Sequence, residues 1–179
     1  MGRVLLLLLS VSLGTLLSAA PAAADPGSCE VGWGSLDKSD ATTGRAPLSD
    51  VRAGRHECFD RLVIEVAGPV TGYRAGYVGS VTMDGSGQAV PLRGGAFVQV
   101  TVHAPAHDDA GRATYLPADR AEAVPTGGYD TFRQVAWAGS FEGRTTFGIG
   151  VRARLPLRVS TLEGPGSGSR VVVDVAHRW

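Results

Sequence analysis

The sequence predicts an all-β fold, a single-domain β-sandwich of about nine short, mainly antiparallel strands. Three observations lead there. From Val51 onward the chain is a succession of short β-type runs with Gly- and Pro-bearing turns between them, the spacing expected of a sandwich. Phe97–His103 alternates cleanly, with Val98, Val100 and Val102 on one side and Gln99, Thr101 and His103 on the other, the mark of a strand with one wet face. No window sustains a helical period, which excludes a helical bundle or an alternating α/β fold.

Taken in order, Val51–Glu57 and Phe59–Ala67 open the strand series, and Gly72–Val78 follows Gly68-Pro69. Val81-Thr82-Met83 runs into Asp84-Gly85-Ser86-Gly87, a hairpin-type turn, and Ala89–Leu92 resumes beyond it. After Phe97–His103 comes a long polar connection, Ala104 to Gly128, with a short helical turn expected near Ala118–Ala123. Thr131–Ala138, Arg144–Arg152, Pro156–Leu162 and Ser169–Arg178 complete the series, the last preceded by the turn Gly164–Gly168.

Two of these runs are near copies. Arg61-Leu62-Val63-Ile64-Glu65 and Arg170-Val171-Val172-Val173-Asp174 each carry an arginine and an acid four residues apart. On a strand the two share a face but stand ~13 Å apart, too far to pair with each other. Antiparallel neighbours in register would set Arg61 against Asp174 and Glu65 against Arg170, each pair worth at most ~1 kcal/mol; the other reading is coincidence, since Arg-apolar-apolar-apolar-acid is a common strand composition.

The N-terminus reads as a signal peptide over residues 1–24: Arg3, an apolar stretch from Val4 to about Leu17, and Ala22-Ala23-Ala24 before Asp25-Pro26, the three parts of an export signal. The stretch is too short for a transmembrane anchor. Residues 25–50 then form a Gly-, Ser-, Asp- and Thr-rich N-terminal segment with one apolar patch at Val31-Gly32-Trp33-Gly34, and residues 51–179 form the domain. The expected location is secreted and extracytoplasmic, with no stable membrane span after cleavage. In that setting the only two cysteines, Cys29 and Cys58, are expected to form one disulfide worth about 3 kcal/mol by loop entropy. Seventeen basic residues balance 17 acidic ones, which argues against a nucleic-acid partner. All the basic residues but Lys38 are arginine and asparagine is absent, a codon bias that makes arginine abundance weak evidence for anion binding.

No residue set specifies a reaction. His103 and His107, with Asp108 and Asp109, have metal-like spacing only on a helix, and Pro105 intervenes, so no metal site is expected. Gly-x-Ser-x-Gly is absent, and Ser86, Ser140 and Ser167 lie in turns. Asp60, Glu65 and Asp174 could supply paired carboxylates, but read better as partners for arginines. Gly148-Ile149-Gly150-Val151-Arg152-Ala153 matches G-x-G-x-x-A, yet β-type sequence flanks it on both sides, so it reads as a strand and no cofactor is expected. Binding remains. Tyr73, Ala75 and Tyr77 share one face with Arg74 opposite, and Trp33 and Trp137 add aromatic surface; aromatics with arginines suit sugars, carboxylated peptides or proteins, while the other reading places Trp137 and at least one tyrosine in the core. Arg55, His56 and Asp60 flank the expected disulfide. The candidate ligand-binding residues are therefore Arg55, His56, Asp60, Tyr73, Arg74 and Tyr77, with none catalytic.

Gly54–Val66, Gly72–Val78 and the closing Arg170–His177 run resemble the AMIN-like domain, a family of exported proteins from high-GC Gram-positive bacteria, and Trp33-Gly34-Ser35 is similar to its N-terminal motif. The family is distantly similar to the AMIN domain, a β-sandwich attached to peptidoglycan amidases. The resemblance implies a β-sandwich and, through that likeness, a non-catalytic envelope module that binds cell-wall glycan or peptide. An envelope protein-interaction module and a secreted hydrolase are the alternatives.

Overall fold

The computed structural model describes Cys29, residues 31–69 and residues 71–179; the signal-peptide reading of residues 1–24 lies outside the described residues. Among the described residues eleven strands form: β1 (Lys38–Asp40), β2 (Leu48–Arg55), β3 (Phe59–Val66), β4 (Tyr73–Val78), β5 (Val81–Thr82), β6 (Ala89–Val90), β7 (Ala96–Val102), β8 (Phe132–Phe141), β9 (Arg144–Val151), β10 (Leu157–Glu163) and β11 (Ser169–Ala176). One sheet has the order β1-β4-β7-β9-β8 and the other β10-β11-β3-β2, while β5 and β6 pair as a small separate ribbon. Every pairing is antiparallel.

The core follows from strand alternation. Val98, Val100 and Val102 of β7 and Phe147, Ile149 and Val151 of β9 meet Leu62, Ile64 and Val66 of β3 and Val171, Val173 and Val175 of β11 in one buried cluster. All twelve are at most 2% exposed. Burying each such side chain stabilises by roughly 1.5–3 kcal/mol, so the period-two pattern that marks these strands in sequence is also the main source of cohesion. Val63 and Val172 point the other way yet are 6% and 2% exposed. They pair with each other across β3 and β11, and their neighbours on that face include Arg52, Arg61 and Arg170, whose long stems can lie over apolar side chains.

Three expectations need correction. The N-terminal segment supplies β1, which pairs with β4, and β2 opens at Leu48 rather than Val51. Its other end falls at Arg55, because His56–Cys58 make a turn closed by His56 N–H to Phe59 C=O, 2.9 Å. Ala118–Ala123 contains no helix: it is a bent segment laid along the open edge of β8. There Trp137 N–H donates to Arg120 C=O at 2.7 Å and Ala123 N–H to Val135 C=O at 2.8 Å, so the segment's backbone bonds are spent on that edge. For Trp137 the core reading holds: it is only 8% exposed and packs edge-on against Tyr115.

The outer face of the five-stranded sheet is covered by the arm of residues 79–95, which holds β5 and β6. Glycines make this docking possible. A Cβ at Gly150 would lie 1.8 Å from Arg93 O, and one at Gly148 would lie 2.8 Å from Leu92 Cδ1. Arg93 N–H donates to Gln134 Oε1 at 2.7 Å, Thr82 N–H to Gln99 Oε1 at 3.3 Å, and Thr146 Oγ1–H to Asp84 Oδ2 at 2.7 Å. The Gly-x-Gly of β9 thus serves backbone approach between two protein segments. Gly150→Ala should destabilise by about 1–3 kcal/mol and raise hydrogen exchange across residues 79–95. Gly79→Ala, where a Cβ would meet nothing within 4 Å, should leave the denaturation midpoint nearly unchanged.

Tyr115 packs against Phe147 and Trp137, and its hydroxyl is buried without a partner among the described residues. Burial, with a smaller contribution from Asp50, pushes that hydroxyl from 10.0 up to about 12. A group whose pKa is raised on folding contributes stability that is full below the unfolded value and is lost as pH climbs through the folded one. Stability should therefore fall between about pH 10 and 12, and Tyr115→Phe should flatten that limb without lowering stability at pH 7, as read from urea melts at a series of pH values.

Candidate functional site: an arginine and aromatic face beside the disulfide

The pairing of β3 with β11 sets Arg61 opposite Asp174, and the pairing of β10 with β11 sets Arg158 opposite the same residue. All three stand on the face turned away from the core. Asp174 is 1% exposed and takes Arg61 Nε at 2.7 Å, Arg61 Nη2 at 2.9 Å and Arg158 Nε at 2.8 Å. Hydrogen bonding to Asp174 raises the Arg61 pKa above its ordinary value, against the pull of partial burial. Two arginines on one carboxylate leave the cluster cationic. Among the described residues no acceptor meets the two terminal nitrogens of Arg158 or Nη1 of Arg61.

Phe59, two residues before Arg61 on the same face, begins an aromatic row. His56 stacks on it at 4.5 Å between centroids, and Trp33 meets it edge-on at 5.7 Å. Arg158 lies 4.1 Å above the Trp33 ring and 5.3 Å from Phe59, and Arg61 5.0 Å above Phe59. Cation–aromatic contacts of this kind stabilise by about 0.5–2 kcal/mol each. Trp33 belongs to the N-terminal segment and is held here by three ties. The Cys29–Cys58 disulfide has a Cα–Cα distance of 5.2 Å, Gly34 C=O accepts Leu157 N–H at 2.8 Å, and Ser35 accepts Arg154.

Beneath this face lies a buried polar knot. Asp60, fully buried, accepts the N–H groups of Thr131 at 2.6 Å and Phe132 at 2.9 Å through Oδ2, while Oδ1 faces His177 Nε2 at 3.0 Å. His177 Nδ1 faces Glu57 C=O at 3.1 Å. Both ring nitrogens are thus occupied by acceptors. Asp130 stands 3.7 Å from Nδ1 and accepts Arg55 Nε at 2.9 Å.

Of the six sequence-selected residues, Arg55, His56 and Asp60 lie on or between β2 and β3, and Tyr73, Arg74 and Tyr77 lie on β4 of the other sheet. Arg74 is exposed and pairs with Asp37 at 3.3 Å. Tyr73 packs against the core. Tyr77 does too, and its hydroxyl donates to Leu155 C=O at 2.7 Å and accepts Leu155 N–H at 2.8 Å; its surface is spent on the fold. The expectation that Asp60, Glu65 and Asp174 pair with arginines holds for two of the three. Glu65 takes Arg52 at 2.8 Å, although its register partner is Arg170; Asp60 takes backbone amides and a histidine instead. Arg61, Arg158, Asp130 and His177 were missed as members of one site. The paired Arg–acid strands already pointed to Arg61 and Asp174, but nothing local pointed to the others. His103 and His107 bond to Thr42 C=O and Asp108 C=O respectively, and among the described residues no group of three His, Cys, Asp or Glu side chains is arranged to hold a metal.

A two-sheet antiparallel sandwich with a cationic aromatic face at one end defines this protein's class. The model of the AMIN-like domain matches residues 46–177, and the chain belongs to that family. No curated protein and no solved structure matches the chain.

Replacing Asp60 by Ala strands two buried amide donors and the histidine, and should cost about 3 kcal/mol or more. Glu65→Ala removes only a half-exposed surface pair and should cost at most ~1 kcal/mol. Urea denaturation of the two variants beside the parent protein gives the comparison directly.

Proposed function

We propose that this protein is an exported, non-catalytic module of the cell envelope that binds cell-wall glycan and its carboxylate-bearing peptide stems. The observation that carries the reading is the Arg158 guanidinium, packed against Trp33 at 4.1 Å and Phe59 at 5.3 Å with its terminal nitrogens open to an incoming acceptor. Aromatic rings offer flat apolar area to sugar faces, and an arginine fork offers paired donors to a carboxylate. Membership of the AMIN-like family supports an envelope setting, and the Cys29–Cys58 disulfide supports an oxidising compartment outside the cytoplasm. The non-catalytic part rests on His177. A general base needs one free imidazole nitrogen within reach of the proton it takes, and both nitrogens here face protein acceptors.

Sedimentation with insoluble cell wall tests the proposal. The parent protein should pellet with the wall, and Trp33→Ala and Arg158→Ala should each weaken binding about ten- to a hundredfold. Arg74→Ala, on the opposite sheet, should bind as the parent does. Parent protein that stays wholly in the supernatant would overturn wall binding and favour a protein partner. Muropeptide release that depends on Ser86 would make the protein a hydrolase.

A further inference from the structure

Between the arm and the segment along β8 lies a cleft of about 470 Å³, lined by Met83, Val90, Pro91 and Leu92 from the arm, Arg120 from the segment and Trp137 from β8. That volume is in the range of small-molecule sites. Its polar groups are unequally committed. Gln134 is 4% exposed and uses both ends of its amide, accepting Arg93 N–H at 2.7 Å and donating to Ala121 C=O at 2.8 Å. Arg93 is tied to Glu122 at 2.5 Å and to Arg133 C=O at 2.9 Å. One donor group remains open. Arg120 has its guanidinium 5.0 Å above the Trp137 ring and no acidic partner among the described residues. Trp137 itself is buried, with its Nε1 closed to solvent.

A cation held over an aromatic ring at an apolar cleft has no acidic partner among the described residues. The cleft therefore presents apolar walls and one positive charge. The complement is a molecule with an apolar body and a single anionic acceptor group. We propose that this cleft is a binding site for a small amphiphilic carboxylate, its carboxylate on Arg120 and its hydrocarbon against Met83, Val90, Pro91 and Leu92. The site is distinct from the face that carries Trp33 and Arg158. It stands whether or not that face binds wall, because it draws on other residues in the other sheet.

Isothermal titration of the protein with sodium decanoate below its micelle concentration tests the site, with decanol and decyltrimethylammonium as matched probes of equal chain length. Decanoate should bind saturably at one site, decanol at least tenfold more weakly, and the cationic probe not at all. Arg120→Gln should weaken decanoate about ten- to a hundredfold and leave decanol unchanged, and its melting temperature should match the parent's because Arg120 is exposed. Wall sedimentation of Arg120→Gln should equal that of the parent, which separates failure of this site from failure of the wall-binding face. Equal affinity for decanoate and decanol, decanoate binding unaffected by Arg120→Gln, or no saturable decanoate binding would each overturn the proposal.

Discussion

The in-register pairing of β3 with β11 is the constraint on which the rest of the structure depends. It joins two segments more than a hundred residues apart and places them at the centre of their sheet. Its inward side contributes Leu62, Ile64, Val171, Val173 and Val175 to the core. Its outward side sets Arg61 on Asp174, and β10 then brings Arg158 to the same carboxylate. A slip of one residue would turn every one of these side chains to the wrong face. Buried apolar area and a buried ion cluster therefore select the same register, and register matters more here than the energy of either charge pair. Removing Asp174 would leave two arginines facing each other, so the cluster acts also as a penalty on alternative pairings.

The disulfide extends this frame to the N-terminal segment. Cys58 sits in the turn just before Phe59, so the bond to Cys29 delivers Trp33 to the aromatic row. Behind the row, Asp60 and His177 bind the same turn to the end of β11, through Glu57 C=O and through His177 N–H to Cys58 C=O at 2.9 Å. The face proposed to meet the wall is thus supported from below by buried hydrogen bonds and from the side by a covalent link. Its side chains are held in place before any ligand arrives, which reduces the ordering cost of binding.

The opposite sheet solves a different problem with glycine. Gly148 and Gly150 let the 79–95 arm lie directly on β9, and the 118–123 segment satisfies the free edge of β8. Where these two coverings meet β8 they do not close over Trp137 and Arg120, and the cleft is what remains between them.

Fold class, the run of strands and the disulfide were legible in the sequence, because alternation, turn residues and an even cysteine pair are local signals or simple counts. The near-copy Arg-to-acid strands raised the Arg61–Asp174 pairing as one reading against coincidence of composition, and only the register of β3 with β11 decides for it. Strand β1 and the bent segment at Ala118–Ala123 were not legible, because each depends on which edge lies nearby. The candidate site divides the same way. Arg55, His56 and Asp60 stood out through their closeness to Cys58, whereas Tyr77 looked like surface and is spent on Leu155. Trp33 with Arg158, Asp60 with His177, and Arg120 with Trp137 come together only through tertiary structure. Sequence determines which residues lie inward on a strand, through a period of two; which distant side chains share a face is decided by strand order and by what covers each edge.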